Sequence, residues 1–231
     1  MKYTTFLIFG YGVPEDILKG ENYNRYLNLA FNRIFDIVRE QKIEKPLIIF
    51  SGGRTDCFPP FHRTEAGEMM KFFLSIASRP FVAESTKNWR YVPEENALST
   101  LENFLYSKEI LEKENISEGK IYIFCEHTRE KKVTTLAQNF LKEYSFIVIS
   151  VDFDNSSSRY LDPEFIEKKE GKDMEIYWWA MKNHENFKKF RDILEEKLER
   201  LRKVTPEKRT EAINEWWKEK MKEIEEGKIG K

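Results

Sequence analysis

The fold class of this chain rests on Pro46-Leu47-Ile48-Ile49-Phe50-Ser51-Gly52-Gly53. A short apolar run that is rich in isoleucine and ends at glycines predicts a buried strand. A helical pattern begins near Arg63-Thr64-Glu65-Ala66. A strand, a glycine turn and a helix in this order are typical of the ligand-binding edge of an open α/β sheet. Glycines there let the backbone approach a ligand closely, although Gly52-Gly53 taken alone is better explained by a plain tight turn.

Strand and helix patterns alternate through the first two thirds of the chain. The predicted strands are 5–9, 47–50, 81–83, 121–125 and 146–151, and the predicted helices are 23–40, 64–77, 97–113 and 132–143. Apolar strands separated by amphipathic helices predict a Rossmann-like three-layer α/β sandwich with a mostly parallel sheet of five or more strands. We assign residues 1–153 to this domain.

Residues 154–231 are predicted to form a C-terminal extension. A polar, irregular segment covers 152–173, and helices follow at 184–203 and 206–226, the second started by Thr205-Pro206. The helices could pack on the first domain, close a ligand cleft or pair with a second subunit, and packing is favoured. The pairs Trp178-Trp179 and Trp216-Trp217 are interpreted as packing residues.

Charge and composition exclude several classes of protein. The chain has 39 basic and 40 acidic residues and a formal net charge of -1, which argues against a nucleic-acid surface or a polybasic membrane patch. Two cysteines are too few for a disulfide framework or a cysteine-rich zinc site. The N-terminal apolar run is too short for a signal peptide, and no stretch is long enough to span a bilayer. We therefore expect a cytoplasmic protein whose partner is a small molecule, with neither nucleic acid nor membrane as a partner.

The loops that follow parallel strands converge at one edge of the sheet, and polar groups are concentrated in these loops. We expect the free N–H groups of Gly12, Gly52 and Gly53 to bind an anion such as phosphate or carboxylate. The predicted ligand-binding residues are Gly10, Gly12, Arg25, Ser51, Gly52, Gly53, Arg54, Glu94, Thr100, Asn103 and Arg129, with the three arginines as the anion clamp. The predicted catalytic residues are Glu65, Glu102 and His127, and no metal site is predicted.

The order and spacing of these motifs resemble the YdcF/SanA/ElyC-like family over residues 3–151. The shared features are the Gly10-Tyr11-Gly12 loop, Arg25 with Ala30, the Ser51-Gly52-Gly53 loop, Thr64-Glu65-Ala66 and Glu94-x5-Thr100-x-Glu102-Asn103. The resemblance implies a Rossmann-like sheet with a pocket at these loops. It also implies S-adenosylmethionine or a nucleotide as ligand, and for some members a role in the cell envelope.

The loop after the fourth strand departs from the family pattern. The family carries a threonine, then a histidine and an arginine one turn on, whereas this chain has Cys125-Glu126-His127 with Arg129 and Lys132 at the family spacing. His127 could serve through a shifted loop, or Arg129 could take over charge recognition without proton transfer.

Several candidates have a structural alternative. Glu65 and Glu102 could serve only the helix dipole, and Thr100 and Asn103 could be capping groups. Cys125 is interpreted as a buried apolar residue rather than a nucleophile. Asp56, Cys57 and His62 form a poor metal-ligand set.

Two functions fit these observations. The first is binding of an anionic, nucleotide-like or phosphorylated small molecule by an enzyme, a hydrolase or transferase. The second is a non-catalytic ligand-binding or regulatory module related to cell-envelope maintenance. Self-association through the C-terminal helices is a further expectation.

Overall fold

The computed structural model describes residues 3–19, 21–152 and 163–229. The chain divides into two compact units, residues 1–153 and 154–231.

The N-terminal unit is built on one five-stranded sheet. Its strands are β1 (Tyr3–Phe9), β2 (Leu47–Ser51), β3 (Arg90–Glu94), β4 (Gly119–Glu126) and β5 (Ser145–Val151). Every pair is parallel, and the order is β3-β2-β1-β4-β5. The predicted Rossmann-like α/β fold is therefore confirmed. The strand order reverses between β1 and β4, and ligands of open α/β sheets bind at such a switch point.

Helices cover both faces of this sheet. They are α1 (Glu21–Glu40), α2 (Glu65–Ala77), α3 (Pro80–Thr86), α4 (Thr100–Lys113) and α5 (Glu130–Phe140), with a 3₁₀ turn at His127–Arg129. Alternate residues of a strand point to opposite faces, so Phe6 and Ile8 join the core beneath α1 and α2. Helix α4 covers the other face, where Phe104 meets Phe9 edge to face with ring centroids 5.0 Å apart.

The third predicted strand is wrong. Residues 81–83 lie in α3, which begins with Pro80 at the first helical position, where proline is favoured. Phe81 is 99% exposed, so its apolar character does not reflect burial. The true third strand, β3, contains Pro93. A proline is tolerated there because β3 is an edge strand paired only with β2.

The C-terminal unit consists of helices. They are α6 (Pro163–Ala180), α7 (His184–Arg202) and α8 (Arg209–Glu225), with a 3₁₀ turn at Pro206–Lys208. Tyr177 of α6 packs on Phe190 of α7, and Trp216 packs edge to face on Trp217. Trp179, Trp216 and Trp217 are buried, as a packing role requires, whereas Trp178 is exposed and its predicted packing role is wrong.

The two predicted helices of this unit are confirmed, but the predicted irregular segment, 152–173, is too long. Residues 163–173 belong to α6, and residues 153–162 lie outside the described residues. A single glycine, Gly171, is tolerated inside a helix at a cost of about 1 kcal/mol, so it does not end α6.

Candidate functional site

The candidate site lies at the C-terminal edge of the sheet, where the loops after β1, β2, β3 and β4 meet. The Gly10 N–H donates to the Ser51 carbonyl at 2.9 Å, and the Gly52 N–H donates to the Glu94 carbonyl at 3.0 Å. From the other side, Arg129 Nη1 donates to the Gly10 carbonyl at 3.2 Å. The predicted convergence of these loops is confirmed.

Glu65, the first residue of α2, has its side chain between two glycines. A Cβ on Gly10 would lie 1.9 Å from Glu65 Oε2, and a Cβ on Gly52 would lie 2.6 Å from Glu65 Cβ. Glu65 is only 8% exposed. Its Oε1 accepts a 2.5 Å hydrogen bond from the Thr55 hydroxyl. Gly10 and Gly52 therefore make room for a carboxylate of the protein itself.

The expectation of free N–H groups at Gly52 and Gly53 is wrong. The Gly52 N–H is bonded to Glu94, and the Gly53 N–H donates to the Ala97 carbonyl at 2.5 Å. A Cβ on Gly53 would lie 2.6 Å from that carbonyl oxygen. Glycine is needed here because two backbone loops touch. Gly12 has a φ of 94°, a left-handed conformation that favours glycine, and no acceptor for its N–H is found within the described part of the chain.

The N-terminus of α2 is closed by protein groups. The N–H groups of Glu65 and Ala66 donate to the Gly53 and Gly52 carbonyls at 3.0 and 2.9 Å. The Gly67 N–H donates to the Thr64 hydroxyl at 3.0 Å. An anion would normally take these donors, so α2 does not offer them to a ligand.

A buried polar network joins β2, β3 and α4. The Ser51 hydroxyl lies 2.6 Å from Glu94 Oε2 and 3.0 Å from Asn103 Oδ1. Glu94 Oε1 accepts from the N–H groups of Asn96 and Ala97 at 2.7 and 3.1 Å. Burial raises the pKa of the Glu94 carboxyl, and these hydrogen bonds oppose the rise. Oε1 of Glu94 thus stabilises the loop before α4, and Oε2 bonds to the end of β2.

Glu102 has a capping role. Its Oε2 accepts from the Leu98 N–H at 2.7 Å, and its own N–H donates to the Ser99 hydroxyl at 3.2 Å. Such reciprocal bonds at a helix start resemble a capping box. Thr100 is the buried first residue of α4. These contacts favour the structural interpretation of Glu102.

Arg129 crosses the switch point. It lies at the start of α5, its guanidinium reaches the end of β1 at Gly10, and its Cζ lies 4.4 Å from the centre of the Tyr11 ring. Lys132, the other cation at the family spacing, is buried on α5.

His127 and two of the predicted arginines are exposed. His127 Nδ1 is 3.4 Å from Ser150 Oγ on β5 and 3.4 Å from Glu130 Oε2 on α5, and its side chain is 59% exposed. Arg25 and Arg54 are exposed. No contact within the described residues links Arg25 to the glycine loops. Their predicted roles stay predictions.

An ion pair holds the loop between β2 and α2. Asp56 is fully buried, and its Oδ2 and Oδ1 accept from Arg63 Nε and Nη2 at 2.9 and 3.0 Å. Arg63 Nη1 also donates to the carbonyls of Pro14 and Glu15 at 2.9 and 3.0 Å. Asp56 therefore binds an arginine that ties this loop to the one after β1.

Two buried groups stand at the ends of β1 and β4. The Tyr26 hydroxyl lies 3.2 Å from the Phe9 carbonyl and 3.0 Å from the Phe124 carbonyl, so it bridges the two strands. Cys125 is 1% exposed, and burial raises the pKa of its thiol to about 12. A thiol with that pKa is not ionised near neutral pH and is a poor nucleophile.

Thr55, Tyr11 and Tyr26 are site residues that the sequence prediction missed. Tyr23 and Tyr26 lie one turn apart on α1, and the Tyr23 hydroxyl accepts from the Tyr11 N–H at 2.8 Å. The spacing of these two tyrosines near a helix start is the sequence signal that could have identified Tyr26. No sequence signal identifies Thr55, because its role depends on where α2 places Glu65.

Comparison of the chain with known protein families, with characterised proteins and with solved structures finds no significant match. The resemblance to the YdcF/SanA/ElyC-like family stays a prediction. Across the described residues, no helix combines the length and apolarity needed to cross a bilayer. In the same residues, no three His, Cys, Asp or Glu side chains are grouped to hold a metal ion.

Proposed function

We propose that the N-terminal unit binds a phosphorylated or nucleotide-like small molecule at the switch point between β1 and β4. The observation that carries this proposal is the position of Arg129. A guanidinium at the start of α5 reaches across to Gly10, where both strands end. Arginine is the side chain best suited to bind phosphate, because its N–H groups match two phosphate oxygens.

The contacts at the starts of α2 and α4 favour the start of α5, and not the glycine turns, as the phosphate site. The first-turn N–H groups of α2 bond to Gly52, Gly53 and Thr64. The start of α4 is capped by Ser99 and Glu102. At the start of α5, Arg129 makes no capping side-chain bond, and its guanidinium brings a positive charge to the end of β1.

The carboxylates favour a binding module over an enzyme. Glu94 and Glu102 use their oxygens to fix the start of α4. Glu126 accepts from the Thr128 N–H at 3.0 Å and from the Thr128 hydroxyl. Groups committed in this way are poor general bases, because their lone pairs already accept hydrogen bonds.

The test is binding of phosphate esters to the whole chain. A thermal-shift panel of nucleotides, sugar phosphates and S-adenosylmethionine is expected to yield a stabilising phosphate ester. Calorimetry should then show that Arg129→Met binds it at least about 10-fold more weakly, the effect of losing hydrogen bonds from a charged group. Arg33→Met, which removes an exposed arginine from α1, is the control and should bind normally. Equal affinity of the Arg129→Met chain would refute the proposal.

A further inference from the structure

One oxygen of the Glu65 carboxylate has no hydrogen-bond donor. Oε1 is bonded to the Thr55 hydroxyl, whereas Oε2 has no partner within residues 3–19, 21–152 and 163–229. The residue is 92% buried, since only 8% of it is exposed. Oε2 keeps access to solvent, so water or a hydroxyl group of a ligand can reach it and donate to it.

The surrounding backbone does not supply that donor. Oε2 lies against Gly10, whose N–H is bonded to the Ser51 carbonyl. The N–H groups of Gly52 and Gly53 are bonded to Glu94 and Ala97. A donor for Oε2 must therefore come from water or from a ligand.

The charge of Glu65 determines which part of a ligand fits here. A phosphate would meet a carboxylate and no N–H donor, so like charges would repel. Hydroxyl groups can donate to the carboxylate without bringing a charge of their own. Thr55 already does so at Oε1. Acidic side chains hold ribose hydroxyls in the same way in dinucleotide-binding sheets.

We propose that Glu65 binds the vicinal hydroxyl groups of a phosphate ester whose phosphate lies at Arg129. This inference rests on the proposed function and adds the orientation and class of the ligand. Gly10 separates the two subsites, because its Cα side faces Glu65 and its carbonyl accepts from Arg129. The ligand therefore lies across Gly10, with its hydroxyl groups toward β2 and its phosphate toward β4.

Calorimetry with three compounds tests the proposal on the whole chain. The compounds are AMP, dideoxy-AMP, which lacks both ribose hydroxyls, and ribose phosphate, which lacks the base. We expect AMP to bind about 10-fold or more tightly than dideoxy-AMP, the effect of hydrogen bonds to a charged group. Ribose phosphate distinguishes the two sources of the diol: affinity equal to that of AMP identifies a sugar phosphate, and weaker affinity identifies a nucleotide.

Two variants assign the preference to Glu65. Glu65→Gln keeps the size of the side chain and an acceptor for Thr55, and it should remove most of the preference for AMP over dideoxy-AMP. Glu95→Gln, which removes an exposed charge beside Thr64, should keep the preference.

The outcomes separate the two proposals. Equal binding of AMP and dideoxy-AMP, or a preference that survives Glu65→Gln, would overturn the hydroxyl subsite and leave phosphate-ester binding intact. Failure of both AMP and ribose phosphate to bind would overturn phosphate-ester binding, and the subsite with it.

Discussion

Replacing Arg63 by methionine is expected to lower the free energy of unfolding of the N-terminal unit by about 3–5 kcal/mol, the usual effect of removing one partner of a buried ion pair. Asp56 is fully buried, and Arg63 binds both of its oxygens. Methionine keeps much of the apolar stem but leaves a buried carboxylate without its guanidinium. Urea denaturation, monitored by hydrogen exchange of peptides from the sheet, measures the change.

This loss should depend on pH. Burial by itself raises the pKa of Asp56, but the hydrogen bonds and charge of Arg63, together with the Phe58 N–H, outweigh burial and lower it. In the unmodified chain, Asp56 therefore contributes stability above its ordinary pKa of about 4, and this stability is lost as the pH falls through the lowered value. In Arg63→Met the guanidinium no longer offsets burial, so the pKa of Asp56 is higher than in the unmodified chain. The deficit should be largest near neutral pH and shrink as the pH approaches about 4.

Two further variants control for the loss of side-chain packing. Asp56→Asn combined with Arg63→Met removes the buried charge and should recover part of the stability at neutral pH. Arg25→Met, at an exposed arginine of α1, should change the free energy of unfolding by less than about 0.5 kcal/mol. A deficit in Arg63→Met that is the same at every pH would contradict the buried-charge explanation.

Replacing Gly53 by alanine should destabilise the N-terminal unit by about 1–3 kcal/mol, the usual cost of overpacking. The added Cβ would lie 2.6 Å from the Ala97 carbonyl oxygen and 3.0 Å from the Asn96 carbonyl carbon. Both atoms belong to the backbone, so no side-chain rotation can relieve the clash. The loop before α4 has to move, and the hydrogen bond from Gly53 to Ala97 has to lengthen. Urea denaturation with the same hydrogen-exchange readout measures the effect.

Gly171 provides the matched control for this substitution. It lies inside α6, and a Cβ there would meet no atom within 4 Å. Gly171→Ala should therefore stabilise its own helical unit by about 0.5–1 kcal/mol, because alanine has the higher helix propensity. If Gly53→Ala proved neutral or stabilising, the close contact of the two loops would be disproved.

The strands and helices that the sequence predicted well have a strong local pattern. The apolar residues of β1, β2 and β4 are continuous because these inner strands are buried on both faces. The apolar positions of α1 recur every three to four residues because one face packs on the sheet. β3 lacked such a pattern, because an edge strand is only partly buried and can contain Pro93.

The convergence of the loops at this edge was predicted correctly, but the contacts that these loops make were not. Gly52-Gly53 marked the correct edge of the sheet, because glycines follow strands wherever the chain turns within a crowded space. The sequence could not show what crowds that space. A ligand, a carboxylate or a second loop would each leave no space for a Cβ and so require glycine. In the structure, Glu65 lies beside Gly52 and Ala97 lies beside Gly53.

The sequence by itself determined the α/β class, most of the element bounds and the edge of the sheet that carries the polar loops, because these depend on periodicity and on turn residues close together in the chain. Only the tertiary structure decided which polar groups are committed to the protein. Three contacts depend on distances between loops. Gly52 and Gly53 have no free N–H, Arg129 reaches Gly10, and Asp56 pairs with Arg63. The Ser51-Gly52-Gly53 turn thus packs closely against Glu65 and the Ala97 loop, and it positions Glu65. Gly52 and Gly53 are required by the atoms that face them, and the local sequence does not show which atoms these are.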